Sequence, residues 1–312
     1  MQVAFLVFLL SHGLVSGQVS DYDSQAEVEN EMEDSPQCSG KLQNPIEVDE
    51  LRSEPKEFPE LHYFNIDITP ERVHISNNGH SVVVRMNFEM GREPRMRGGP
   101  LERNSSYQFE QMQFQWGANG TVGSGFPVEL HLIFRSIDFK DYKTALGYDN
   151  GIAVMGFYFR VSEMDHTYLE EFMQKLSTIS RKGMSADLEK PVSLRKILPW
   201  NLLNYYSYTG SLTMSPCAEK VIWIDYWDPI SISQRQLNQF RELTVHDDHL
   251  KNNNPTTWRI NDRIIYANSP PMPEFMKGPQ TNPVTSAPSS SSCNVSKGLI
   301  FLLVSFAHLL KI

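Results

Sequence analysis

The chain has 312 residues, with 28 Lys and Arg against 37 Asp and Glu, a formal net charge of −9 at pH 7. That length allows one large domain with appendages, and 40% hydrophobic residues suit a globular body with a substantial core. The acidic balance excludes a nucleic-acid surface, which needs a basic field.

Residues 1–17 contain an apolar run, 3–10, and end on Val15-Ser16-Gly17, the pattern of a signal peptide cleaved before Gln18. Residues 18–36 form an acidic arm. Its stretch 21–34 holds seven acidic residues and no Lys or Arg, and reads as disordered and solvated. The globular domain is expected over 37–269. Within it, residues 81–88, 107–116, 128–134, 152–161, 221–225 and 258–266 are rich in β-branched and aromatic residues and read as strands.

Two of these strands carry the chemistry. Alternation along 107–116 puts Met112, Phe114 and Trp116 on one face and Gln111, Gln113 and Gln115 on the other. In 128–134, Val128, Leu130 and Leu132 share a face, and Glu129 and His131 share the opposite one. Two polar residues at i and i+2, met by a third from a neighbouring strand, make a cup. Three histidines there hold a catalytic zinc with its fourth position open. This chain has Gln113, Gln115 and His131.

Two helices are expected. Asp165 is placed to cap one over 166–181, with Tyr168, Phe172, Leu176 and Ile179 along its core face. Ser233 and Gln236 make a capping box ahead of Leu237, Phe240 and Leu243. The fold class is mainly β (α+β), a large mixed sheet with peripheral helices.

Residues 270–294 are rich in Pro, Ser and Thr and read as a stalk. Residues 295–312 are a hydrophobic C-terminal anchor signal, whose apolar run 298–310 is shorter than the roughly 20 residues a membrane-spanning helix requires. Small residues at Ser290, Ser291, Ser292, Cys293 and Asn294, a short spacer and a terminal apolar tail match a glycolipid-anchor signal. The alternative is a short tail anchor that stays in the protein, and both place the domain outside the cell at a membrane. Asn104 and Asn119 head glycosylation sequons in predicted turns, and a third sequon at Asn294 falls at the tail.

Eight segments in order carry a family resemblance. They are Gln43-Asn44-Pro45-Ile46, Ser76-Asn77-Asn78-Gly79-His80, Gly98-Gly99-Pro100-Leu101, 111–117, Glu129-Leu130-His131-Leu132 and Ala153-Val154-Met155-Gly156. Ser211-Leu212-Thr213 through Pro216-Cys217, and Val221-Ile222-Trp223, complete the set. From about Cys38 to about Ala267 the chain resembles the alpha-carbonic anhydrases, and among them the acatalytic carbonic anhydrase-related proteins. The resemblance implies a central, mostly antiparallel sheet. It marks Gln113, Gln115 and His131 as the positions of the three zinc histidines, His80 as the proton-shuttle position and Thr213 as the hydroxyl that a family Glu orients. Gln111, Glu129, Val154, Val221 and Met214 match the pocket wall, and Cys38 and Cys217 the disulfide of secreted members.

Two of the three zinc positions are therefore replaced. A Gln carbonyl oxygen is a weak, uncharged ligand, and zinc acts in this chemistry by drawing the pKa of its bound water toward neutrality. The family's Gly-Ser-Glu-His-Thr-Val run is also not intact between Trp116 and His131, and the Glu that orients the hydroxyl matching Thr213 is missing. The expectation is a catalytically inactive homologue with no cofactor, glycolipid-anchored on the outer face of the plasma membrane. It would act as a binding or adhesion module for an extracellular protein or glycan. Its candidate contact surfaces are the cup mouth around His80 and a basic patch of Arg92, Arg95 and Arg97. The alternative is a zinc-dependent carbonic anhydrase with an altered site.

Overall fold

The computed structural model describes residues 40–46, 48, 52–116, 126–213, 217–246 and 259–268. The expected signal segment, acidic arm, stalk and anchor lie outside the described residues, as do Cys38, Asn119 and Met214.

Thirteen strands are described. The first five are β1 (Glu54–Pro55), β2 (His62–Phe64), β3 (Arg72–Asn77), β4 (Val82–Asn87) and β5 (Arg95–Arg97). The central ones are β6 (Tyr107–Trp116), β7 (Val128–Ser136) and β8 (Ile152–Ser162). They are followed by β9 (Ser185–Asp187), β10 (Tyr205–Ser211), β11 (Glu219–Tyr226), β12 (Ile230–Ser233) and β13 (Tyr266–Ala267). All join one sheet in the order β1-β13-β10-β11-β8-β7-β6-β4-β3-β9, with β12 beside β8, β5 beside β6 and β2 beside β5. Most pairs are antiparallel, as expected; β1 with β13, and β8 with both β11 and β12, are parallel.

The predicted faces of the central strands hold. Phe114 stands opposite Leu130, Gln113 opposite His131 and Gln115 opposite Glu129, so each face pairs like with like. A bulge at Glu110 offsets the register between Phe109 and Gln111. The alternation inverts there, so Phe109 packs edge-on against Phe134 on the apolar side while Gln111 joins the polar face. The apolar face is covered by helices. Phe114 stacks on Phe172 at 4.6 Å, and Trp116 lies 5.4 Å from Phe240. Burial of side chains this large contributes about 1.5–3 kcal/mol each.

Phe172 lies on the helix Glu170–Leu176 and Phe240 on the helix Gln234–His246. With the short helices Tyr142–Ala145 and Leu194–Ile197 these are the α-helices of the described residues. The capping box forms: the Gln236 N–H donates to Ser233 Oγ (3.1 Å) and the Ser233 N–H to Gln236 Oε1 (3.3 Å). Leu237, Phe240 and Leu243 are buried as predicted.

Two expectations are corrected. The single helix over 166–181 is three pieces, a 3₁₀ turn Thr167–Leu169, the α-helix Glu170–Leu176 and a 3₁₀ turn Ser177–Ile179. Asp165 does not cap it, because its carboxylate accepts from the Ser233 hydroxyl and the Arg235 guanidinium. The tighter first turn leaves Tyr168 exposed while Leu169, Phe172, Leu176 and Ile179 stay buried. The strand expected over 258–266 shrinks to Tyr266–Ala267. Asn261 takes a left-handed φ of 54° in a turn, and the Arg263 guanidinium ties that loop to Leu42 O (3.2 Å) and Asn44 Oδ1 (3.0 Å). Trp258 lies outside the described residues. No helix of the described residues is long and apolar enough to cross a membrane.

Candidate functional site

The polar face of the central sheet carries the site. Residues paired across neighbouring strands share a face, so Gln113 on β6, His131 on β7, Gly156 on β8 and Asp225 on β11 form one row. A second row runs Gln115, Glu129, Tyr158. A third runs Gln111, Ile133, Val154, Trp223, Tyr208. The Gln, Glu and His side chains of these rows are all at most 5% exposed.

Each polar group has a specific engagement. The Gln115 amide nitrogen donates to Thr213 Oγ1 at 2.6 Å, tying β6 to the segment after β10. Its other end, Oε1, is buried with no hydrogen-bond partner among the described residues. His131 Nε2 lies 3.2 Å from Glu129 Oε2. The imidazole stands edge-on to the Trp223 indole, with centroids 4.9 Å apart. Trp223 is fixed in turn by donating Nε1–H to Ser211 O (3.0 Å).

Asp225 was not picked out by the sequence reading. It is 3% exposed, and its Oδ2 accepts from the Tyr208 hydroxyl (2.9 Å) and, at 3.5 Å, from that of Tyr158. Burial pushes its carboxyl up to about 7; the Tyr208 bond opposes this and the Glu129 charge adds to it. Burial likewise holds the Tyr208 phenol well above its ordinary range, so it remains a donor. Gly156 makes room for the carboxylate, since a Cβ there would stand 2.2 Å from Asp225 Oδ1. Alternation along 221–225 places Asp225 with Val221 and Trp223, and that was the available signal.

The remaining expected residues distribute as follows. Val154 and Val221 are buried in an apolar cluster with Ile46, Ile133, Tyr208 and Leu212, which takes in the apolar members of the third row. Gln111 and Glu129 lie on the cup face, and Thr213 is half-buried at its edge. His80 is exposed in the turn between β3 and β4, its N–H donating to Asn78 Oδ1 (2.9 Å). Asn104 is exposed with φ 68°, in a turn. Cys217 is disulfide-bonded; the expected partner Cys38 lies outside the described residues. In the expected basic patch, Arg92 pairs with Glu89 (3.3 Å) and Arg95 with Glu93 (3.4 Å), while Arg97 lies over the Phe64 ring (5.2 Å).

The donor set suits a zinc ion poorly. One imidazole and two neutral amides share the face, and one amide already donates to Thr213. Among the described residues no group of three or more His, Cys, Asp or Glu is arranged to hold a metal.

A wide, mostly antiparallel sheet with one buried polar cup on its central strands defines the class of scaffold. The chain belongs to the eukaryotic-type carbonic anhydrase family, whose model matches residues 27–269. It is 30% identical over 258 residues to the Homo sapiens carbonic anhydrase-related protein, across 74% of this chain and 85% of that one. It is 31% identical over 246 residues to Homo sapiens carbonic anhydrase 7, covering 74% and 90%. To Homo sapiens carbonic anhydrase 6 it is 28% identical over 291 residues, covering 85% and 90%.

Proposed function

We propose that this chain is a carbonic anhydrase-related protein that does not hydrate carbon dioxide and serves as a binding or adhesion module at the cell surface. The observation that carries this is the cup's donor set, with Gln113 and Gln115 beside a single imidazole, His131. Hydration needs a cation that keeps a hydroxide at neutral pH, and two uncharged amides add little to its affinity. The Thr213 hydroxyl, matched by resemblance to the group that orients the reacting oxygen, is instead held by the Gln115 amide. The Glu expected to fix that hydroxyl is absent from the sequence, which removes preorganisation independently of the metal.

Metal analysis of the purified protein alongside a carbon dioxide hydration assay tests this. Substoichiometric zinc and a rate at the uncatalysed background are expected. Stoichiometric zinc with inhibitor-sensitive hydration overturns the reading in favour of an altered but working enzyme.

The surface placement rests on the leader-like residues 1–17, the Pro/Ser/Thr-rich stretch and the apolar tail with its small-residue site. The mature chain ends near 289–294 on a glycolipid in this reading. Phosphatidylinositol-specific phospholipase should release the protein from intact cells, with the tail absent by mass spectrometry. Recovery of tryptic peptides from 298–311 in the membrane fraction refutes the glycolipid.

A further inference from the structure

The most exposed large aromatic among the described residues is Trp200, at 91%, and Leu203 three residues on is 71% exposed. Indoles are usually buried on average, so one held almost wholly in solvent needs a reason. The local structure holds it outward. Leu194, Ile197 and Leu198 are buried and pin the segment to the core. The helix Leu194–Ile197 stops at Leu198, which is extended (ψ 155°) ahead of Pro199. The loop is then braced: the Leu203 N–H donates to Asn201 Oδ1 (3.1 Å), and the half-buried Arg195 guanidinium donates to Pro199 O.

Cations accompany the aromatics. The Arg195 guanidinium lies 5.2 Å from the Trp200 ring centre, and exposed Lys196 lies 5.0 Å from the ring of Tyr168, itself 46% exposed. An exposed indole and leucine flanked by Arg and Lys match the chemistry of a lipid headgroup layer, where aromatics sit at the interface and cations meet phosphate.

The position of the loop identifies the occupant. Asn268, the last described residue before the stalk, donates its side-chain amide to Leu203 O (2.8 Å) and its N–H to Tyr205 O (3.0 Å). The chain therefore leaves the domain at the foot of the Trp200–Leu203 loop. The 26 residues from there to Asn294 span at most about 90 Å. A tether that starts at this loop and ends in a membrane brings this face, rather than the opposite one, to the lipid most readily.

We propose that the loop from Trp200 to Leu203, with Arg195 and Lys196, is a membrane-resting face that inserts its indole and leucine into the headgroup layer of the membrane to which the chain is tethered. This rests on the anchored reading above. The chain's charge of −9 opposes a strongly anionic surface, so the matching surface is zwitterionic.

The test uses the full-length protein purified from cells and incorporated into phosphatidylcholine vesicles carrying brominated acyl chains. Flotation reports the tether and indole quenching reports docking. Trp200 is one of five tryptophans, so contact with brominated lipid should remove up to about one-fifth of the emission. That loss should vanish in Trp200→Phe and fall at least about twofold in Leu203→Asp, with flotation and melting temperature unchanged in both. Flotation with quenching indifferent to both substitutions overturns the docking face and leaves the tether standing. A chain that does not float removes the tether and the proposal together. Shielding of Trp200 that rises with protein concentration in the absence of lipid overturns the proposal in favour of a contact between two copies.

Discussion

Asp225→Asn should stabilise the protein at neutral and mildly alkaline pH. In the folded chain burial raises the Asp225 carboxyl from its ordinary 3.8 to about 7, while the unfolded chain exposes it to water. The folded form therefore keeps a proton that the unfolded form has released, so stability falls as pH rises from about 4 to about 7 and is level beyond. At about 1.4 kcal/mol per pH unit, the interval from 3.8 to about 7 gives a ceiling of about 4 kcal/mol lost by pH 8. That is a large share of the 5–15 kcal/mol typical of a domain. Asparagine is near-isosteric, keeps an oxygen for the Tyr208 hydroxyl 2.9 Å away, and carries no charge to desolvate. Urea unfolding of both proteins at pH 5, 6, 7 and 8 isolates the effect, since other titrating groups are common to both. The variant should already lead the parent by about 1–2 kcal/mol at pH 5, and the lead should grow to about 4 kcal/mol at pH 8. Parallel pH dependences would show that Asp225 is ionised throughout, and that solvent or a counter-charge reaches it.

Two other substitutions test the packing around the cup and its supporting helix. Gly156→Ala drives a Cβ to 2.2 Å from Asp225 Oδ1 and 3.7 Å from the Trp223 ring, and should cost about 1–3 kcal/mol by urea titration; a neutral result would mean the carboxylate can swing aside. Ser233→Ala removes the acceptor for the Gln236 N–H and the donor to Asp165 together, and should cost about 1–2 kcal/mol, with slower loss in the parent of helical circular dichroism on heating.

The polar cup was legible in the sequence because strand periodicity alone decides which side chains share a face. Gln111, Gln113 and Gln115 follow from alternation, and so does their meeting with Glu129 and His131 once the two strands pair. The Ser233–Gln236 capping box is equally local, spanning one helical turn. What the sequence concealed depends on distant partners. Asp165 sits where a cap belongs, yet its carboxylate serves Ser233 and Arg235, 68 and 70 residues on. Asp225 ends a run that reads as an ordinary strand. Its burial comes from Gly156 beside it in a parallel register and from Tyr208 and Tyr158, 17 and 67 residues away. The exposed Trp200 was invisible for the opposite reason, since an apolar residue after a short helix reads as core.

Restoring histidine at both 113 and 115 connects the cup's chemistry to its stability. Those side chains would join His131, whose Nε2 is already set against Glu129, the kind of outer carboxylate contact that orients a metal-binding imidazole. A zinc ion held there adds two positive charges to the face that carries Asp225, two strands from His131. Nearby positive charge favours the ionised carboxylate, so zinc should lower the Asp225 pKa and flatten the fall in stability between pH 4 and 7. The imidazoles must also lose their protons to bind, so zinc-dependent stability grows as pH rises through the histidine range. The two effects add. With zinc at about 100 times its dissociation constant the double variant should gain about 2.7 kcal/mol near pH 7, little at pH 5, and lose the gain to a chelator. Hydration activity should lag behind binding, since the Glu that would orient Thr213 is still absent. The unsubstituted protein should show no zinc-dependent gain at any pH. If it gains as the double variant does, Gln113 and Gln115 suffice as ligands beside His131, and the proposed loss of the metal is wrong.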